Sequence, residues 1–345
     1  MTQSRLRVLQ AMAGAAYGGA EAFFMRLVPA LARAGLEQRI VMRADPARAA
    51  QLHAQGLDPV QLGFGGILDF TTTPALQREI EDFAPDIVLT WMSRATRHCP
   101  KGRFIHIARL GGYYDLKYYR HCDYLIGNTA DIVEYIRRGG WPRDRVHYLP
   151  NFVDITPASP SPRGMFDTPE GTPLLLALGR LHDDKAFDVL LPALAELPGV
   201  YCWLAGDGPE RAALEAQAER LALGDRLRFL GWRQDVGGLY AAADILVCPS
   251  RREPLGNVVI EAWARNVPVV AAASEGPGAL IRDGVSGLLV PVNDAVALAR
   301  AIRRVIDDPG LASRLGEGGS VAYAADYTEQ AVVARYLAFF DRVAA

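Results

Sequence analysis

The chain has 345 residues, of which 50% are hydrophobic and 22% charged, and its formal net charge is −2. At roughly 150 residues per domain the length predicts about two domains, and the composition excludes a disordered or fibrous chain. No apolar run reaches the roughly 18 residues of a spanning helix. The opening stretch, MTQSRLRVLQAMAG, lacks a cleavable apolar segment, so neither secretion nor membrane spanning is expected.

The net charge conceals an asymmetry. Residues 1–150 carry 19 Lys and Arg against 14 Asp and Glu, whereas the remainder carries 18 against 25. A basic first half either faces an anionic partner, such as a lipid leaflet, or simply solvates helix faces. No Lys/Arg block or nucleic-acid module accompanies it, so nucleic acid is not an expected partner. Four scattered cysteines without a CxxC pair fit a reducing compartment, and Cys202 and Cys248 read as small buried hydrophobes.

In chain order, strand-like runs occupy 7–13, 39–44, 86–92, 103–108 and 123–127 in the first half. The second half has them at 174–179, 200–206, 227–231, 244–250 and 267–273. Helical patterns intervene at 75–83, 131–139, 209–223 and 295–307. A further helix expected over 21–33 contains Pro29, which predicts a kinked or shortened element. Strands that are apolar almost throughout, alternating with helices, imply parallel sheets covered on both faces. The proline-rich stretch 156–173 has no periodicity and reads as a linker. This divides the chain into 1–155, a linker over 156–173, and 174–327. A terminal helix over 328–345 places Val332, Tyr336, Phe339, Phe340 and Val343 near one face. It packs either back across the domain junction or within the second domain. The expected fold class is α/β, with two doubly wound parallel-sheet domains facing a cleft at the carboxyl ends of their strands.

Four stretches carry chemistry. Residues 253–261, EPLGNVVIE, follow a strand, with Asn257 as a candidate N-cap and a helix starting at Val258. The free amides and dipole of that helix suit a phosphate, while Glu253 and Glu261 can grip hydroxyls of a polyol phosphate. Alternatively, Glu261 is an acidic residue favoured near a helix start. Residues 175–185, LLALGRLHDDK, place Arg180 and Lys185 after a strand, a fork and a point charge that can together hold a diphosphate. Lys185 can instead pair with Asp183 or Asp184. Residues 206–209, GDGP, read as a tight strand–helix turn. Residues 13–21, AGAAYGGAE, are glycine-rich but lack G-x-G-x-x-G spacing, and no P-loop pattern occurs. Gly18 and Gly19 there permit close backbone approach.

Taken together and in this order, the Glu-x7-Glu frame with its internal Gly-Asn, G-R-L-x3-K, G-D-G-P, N-terminal G-G-A-E and P-N-x-V-D at 150–154 resemble the retaining glycosyltransferase family 4. So does SEGPGALIRDGVSGLLVP at 274–291. The resemblance implies a GT-B fold with the nucleotide-sugar donor in the C-terminal domain and the acceptor in the N-terminal one. It implies no cofactor and no metal, with a UDP-, GDP- or ADP-sugar as donor substrate. It assigns Arg180 and Lys185 to the diphosphate and Glu253 to the donor sugar, the three forming the catalytic set. Leu255, Gly256, Asn257 and Val258 would cradle sugar and phosphate, Glu261 would hold the ribose, and Gly18 and Gly19 would close over the phosphate. Gly231, Trp232 and Arg233 would lie beside the nucleobase.

Three departures stand out. Where many relatives carry H-x-x-H, this chain has His106 and Arg109, so Arg109 becomes a candidate for an acceptor or donor oxyanion or a structural ion pair. Ala186 replaces a common Gly, and Asn266 stands at a left-handed cap that Asn tolerates. Tyr113, Tyr114, Tyr118 and Tyr119 follow Arg109; Tyr113 and Tyr114 join it as acceptor candidates, with core packing expected of at least two of the four. The expected activity is retaining transfer of a hexose-type sugar to a glycan or glycolipid in envelope polysaccharide or lipopolysaccharide synthesis. The expected location is cytoplasmic, with peripheral contact to an anionic membrane. A sugar-nucleotide 2-epimerase of GT-B fold and a non-catalytic sugar-nucleotide-binding protein are the competing readings.

Overall fold

The computed structural model describes residues 6–14, 18–66, 69–153 and 157–345. Residues 15–17 of the glycine-rich loop, Asp154 and Thr156 therefore lie outside the described residues. The chain divides into two compact units, Met1–Phe152 with Glu329–Ala345, and Val153–Thr328.

Among its described residues the first unit holds seven parallel strands, β1 (Arg7–Met12), β2 (Glu37–Arg43), β3 (Val60–Leu62), β4 (Ile87–Trp91), β5 (Ile105–Leu110), β6 (Tyr124–Gly127) and β7 (Val146–Tyr148). Their order is β3-β2-β1-β4-β5-β6-β7, with β1 paired from Arg7↔Glu37 to Met12↔Met42 on one side and to β4 on the other. Alternation along β1 serves two layers. Val8 and Met12 face α1 (Gly19–Arg33), while Leu9 and Ala11 join the cluster of Leu76, Ile80 and Phe83. The latter three lie on α3 (Thr72–Phe83), which follows α2 (Pro46–His53); α4 (Met92–His98) and α5 (Ala130–Arg138) complete this part of the chain. Helix α1 runs unbroken through Pro29 to Arg33, so the expected shortening does not occur. Burial of Phe23, Phe24, Leu27 and Leu31 outweighs the one hydrogen bond that the proline forgoes.

The second unit contains β8 (Leu174–Leu178), β9 (Tyr201–Ala205), β10 (Leu227–Gly231), β11 (Ile245–Cys248), β12 (Val269–Ala272) and β13 (Leu288–Val290), all parallel, in the order β10-β9-β8-β11-β12-β13. Its helices are α6 (Phe187–Ala195), α7 (Arg211–Arg220), α8 (Val236–Ala242), α9 (Asn257–Trp263), α10 (Glu275–Leu280), α11 (Ala295–Asp307) and α12 (Pro309–Asp326). Leu175 and Ala177 face Leu190, Leu194 and Ile302, whereas Leu174 and Leu176 face Leu239, Val259 and Trp263. Cys202 and Cys248 are buried strand residues.

The final helix, α13 (Glu329–Ala344), returns to the first unit, where Val332, Tyr336, Phe339 and Phe340 are buried with Phe23 and Phe24. Residues 157–173 are not a free connector. They dock on the second unit: Trp203 Nε1 donates to Thr168 Oγ1 at 2.9 Å, Phe166 packs edge-on to Trp203, and Arg163 donates to Ala242 O and to Asp244. Proline removes ladder donors but leaves side chains free to dock.

Three strand-end loops of the second unit are pressed together backbone to backbone. Gly179 N donates to Ala205 O at 3.0 Å, Leu181 N to Asp207 O at 3.0 Å, and Gly206 N to Gly231 O at 2.8 Å. A Cβ on Gly206 would lie 1.8 Å from Gly179 O, and one on Gly208 2.4 Å from Leu181 O. The glycines of G-R-L and G-D-G-P are thus required by this contact.

Two outcomes follow for stability. Gly206→Ala, at φ 149°, should destabilise the second unit by about 3 kcal/mol; thermal unfolding within about 0.5 kcal/mol of wild type would refute the contact. The second concerns His106 on β5, which is buried with Nε2 3.0 Å from Thr90 Oγ1. Burial holds its imidazole down to about 4. A histidine neutral when folded gives stability that is complete above about pH 6.5 and lost as pH falls toward 4, roughly 3 kcal/mol in all. Acid unfolding followed by tryptophan fluorescence should begin at lower pH in His106→Gln, and an unchanged midpoint would contradict that account.

Candidate active site

In the second sheet β8 is flanked by β9 on one side and β11 on the other, so the chain direction across the sheet reverses between β8 and β11. Ligands of open parallel sheets bind at the carboxyl ends of strands at such a point. Lys185 lies in the loop after β8 and Glu253 in the loop after β11. The structure brings them together as an ion pair, with 23% and 11% of their side chains exposed. Lys185 thus pairs with Glu253, rather than with Asp183 or Asp184.

Both partners are held from several directions. Arg251 donates to the Asp188 carboxylate at 2.8 and 2.5 Å and to Asp183 O at 2.9 Å, and Arg252 N donates to Asp184 O at 3.1 Å. These bonds fix the 183–185 turn against the end of β11. Ala186 adopts φ 52° directly after it, the left-handed conformation that explains why glycine suits this position. Glu253 accepts from Gly256 N at 3.4 Å and Ser250 Oγ at 3.5 Å, while its own carbonyl accepts from Gly276 N at 2.7 Å. A Cβ on Gly276 would meet that carbonyl at 2.4 Å, so the small residue before Pro277 is dictated by the Glu253 loop.

The remaining predicted residues of this unit line the same strand-end edge. Arg180 is exposed and makes no ion pair among the described residues; its neighbour Gly179 lies against Lys185, whose Cε is 3.3 Å from an ideal Cβ there. Leu255, Asn257 and Val258 are half-buried and Gly256 is buried. Helix α9 begins at Asn257, not Val258, and its N-cap is Gly256 at φ 70°. Asn257 is therefore not the cap. Its Oδ1 is buried without a hydrogen-bond partner, as is Ser274 Oγ at the start of α10. Two orphaned acceptors beside this loop fit a polyhydroxylated ligand, because an unpaired buried polar atom is costly. Glu261 accepts from the buried Tyr240 hydroxyl at 3.0 Å; burial and that carboxylate raise the phenol well above its ordinary range. After β10, Gly231 has φ 66°, Trp232 is 72% exposed, and Arg233 forms a two-point pair with Asp235.

The first unit holds the other predicted residues. Gly18 caps the start of α1, and a Cβ there would lie 2.2 Å from Glu21 Oε2; Gly19 has open space. Arg109 is corrected: it is 1% exposed and cannot reach an acceptor. Its guanidinium lies 4.7 Å from both the Phe23 and Trp91 rings, donates to Tyr336 Oη at 2.8 Å, and bonds Asn151 Oδ1. It ties α13 to the sheet, and among the described residues it has no carboxylate partner. Tyr119 is buried and Tyr114 half-buried, while Tyr113 is exposed with its hydroxyl on Asp131. Sequence reasoning did not identify Ser250, Arg251, Tyr240 or Ser274. A serine and arginine immediately before the Glu253 loop were the available signal for the first two.

The family model for glycosyl transferases group 1 matches residues 163–321, and that for glycosyltransferase family 4 matches residues 17–156. The chain is similar to the lipopolysaccharide core biosynthesis glycosyltransferases LpsE and LpsD of Rhizobium meliloti (strain 1021). It is 38% identical to LpsE over 327 residues, covering 93% of this chain and 95% of LpsE. The LpsD match is 37% over 330 residues, covering 94% and 95%. Its fold is similar to that of Anabaena Alr3699/HepE, solved in complex with UDP, with a TM-score of 0.86 at 21% identity over 98% and 100% of the two chains. With two Rossmann-like units of GT-B type and family matches in both halves, the chain belongs to the glycosyltransferases of family 4, group 1.

Proposed function

We propose that this chain transfers a hexose-type sugar from a nucleoside diphosphate sugar to a glycan or glycolipid acceptor in lipopolysaccharide core or related envelope synthesis. The observation that carries the reading is the meeting of Lys185 and Glu253 at the point where the second sheet reverses direction. The names of LpsE and LpsD support the lipopolysaccharide assignment, and the UDP bound to HepE supports a nucleoside diphosphate.

Arg180 and Lys185 hold the donor diphosphate, the first as a fork and the second as a point charge. Glu253 orients the sugar, Asn257 and Ser274 meet its hydroxyls, and Glu261 takes the ribose. The Gly256 loop contributes main-chain amides, and Trp232 with Arg233 borders the base. The acceptor hydroxyl attacks the anomeric carbon on the face that the diphosphate leaves. The new C–O bond forms as the glycosyl–phosphate bond breaks, and the acceptor proton passes to the departing phosphate oxygen, retaining configuration. Negative charge grows on the leaving diphosphate, so fixed cations beside it lower the barrier without a metal. Acceptor binding belongs to the first unit, where Tyr113 remains the exposed candidate, and Gly18 and Gly19 admit the phosphate. No helix among the described residues is long and apolar enough to cross a membrane, and a peripheral position on the cytoplasmic face would serve a lipid-linked acceptor.

The test is incubation with labelled UDP-, GDP- and ADP-sugars. Transfer or slow donor hydrolysis is expected, unchanged by chelator, and Lys185→Ala should lower turnover about 100-fold or more while its circular dichroism stays that of wild type. An isomerised donor would indicate an epimerase, tight binding without turnover a sensor, and a strict divalent-metal requirement would contradict the mechanism.

A further inference from the structure

The first unit contains a cavity of about 580 Å³ that plays no part in the reaction described above. It opens at the amino ends of β5 and β6. His106, near the start of β5, and Asp123, just before β6, lie on its walls, so it occupies the sheet edge opposite to the Gly111–Tyr114 segment. Four residues able to carry positive charge converge on it: Arg97, Lys101, Lys117 and His121. All four are exposed, and neither Arg97 nor Lys101 makes an ion pair among the described residues.

The cations are collected rather than scattered. The Tyr118 ring has the Arg97 guanidinium 5.2 Å from its centroid and the Lys117 ammonium 4.8 Å from it. Each contact is favourable, but together they hold two like charges at one wall. Lys117 also pairs with Asp115 at 2.5 Å, leaving its remaining protons available. The carboxylate lining the cavity, Asp123, accepts from His106 N at 2.8 Å and offsets only part of the charge. Phe104 supplies an apolar wall, and Gly102 is the residue that permits its position, since a Cβ there would lie 2.3 Å from the ring.

We propose that this cavity binds the phosphoryl group of a phosphate ester, with the ester's carbon body against Phe104. Several non-bridging oxygens match one guanidinium fork and two ammonium groups better than a single carboxylate does. The same chemistry is offered by soluble sugar or glycerol phosphates and by the headgroup of an anionic lipid.

The experiment uses the full chain with two probes, glycerol phosphate by titration calorimetry and phosphatidylglycerol vesicles in a phosphatidylcholine background by co-sedimentation. Wild type should bind at least one of them saturably, and more weakly as salt rises. The double variant Arg97→Gln/Lys101→Gln should bind about tenfold or more weakly, with its circular dichroism and its probe-free nucleotide-sugar turnover unchanged. Glycerol phosphate binding would identify a soluble ester and vesicle binding alone a lipid headgroup; either supports the site when the double variant loses it. No binding of either probe, or binding that survives the double substitution, overturns the proposal.

Discussion

The ion pair between Lys185 and Glu253 is the constraint around which the second unit is arranged. Its partners are separated by 68 residues and are delivered by strands on the two sides of the sheet's reversal. With 23% and 11% of their side chains exposed, the ammonium and the carboxylate each offset part of the hydration that the other has lost. The pair also balances the site. Under the proposed function, a diphosphate entering beside it would meet a lysine already positioned and an exposed Arg180 that no carboxylate in the described chain neutralises.

That arrangement depends on close backbone packing more than on side chains. The loops after β8, β9 and β10 share hydrogen bonds and leave no room for a Cβ at Gly206 or Gly208, and α10 presses Gly276 onto the Glu253 carbonyl. Arg251 then clamps the 183–185 turn through Asp183 and Asp188. Glycine here serves proximity rather than flexibility. A site built from interlocked main chain is fixed before a ligand arrives, which is what electrostatic stabilisation of a developing charge requires. In the first unit the buried Arg109 plays the corresponding structural part, joining β5, α13 and Asn151 through one guanidinium.

Much of this was legible in the sequence, and the failures have particular causes. Strands buried on both faces read as continuous apolar runs, so β1, β4, β8, β9, β11 and β12 stand out; β3 and β7, three residues each, are too short to show periodicity. Glu253 and Lys185 could be singled out because each follows a strand, yet their pairing depends on topology that no local window contains. Asn257 looked like a cap because its type favours capping, but Gly256 takes the left-handed conformation and displaces the boundary by one residue. Arg109 was misread for want of a partner 227 residues away, the Tyr336 hydroxyl. The proline-rich 157–173 segment lacks regular periodicity and yet is anchored by side chains such as Thr168 and Phe166, which composition does not reveal.

The most direct measurement is a crystal structure of the chain with a bound nucleoside diphosphate. The account predicts diphosphate oxygens within hydrogen-bond reach of Lys185 Nζ and the Arg180 guanidinium, alongside the loop from Glu253 to Asn257. A diphosphate bound elsewhere, with Lys185 still committed to Glu253 and Arg180 directed away, would contradict it.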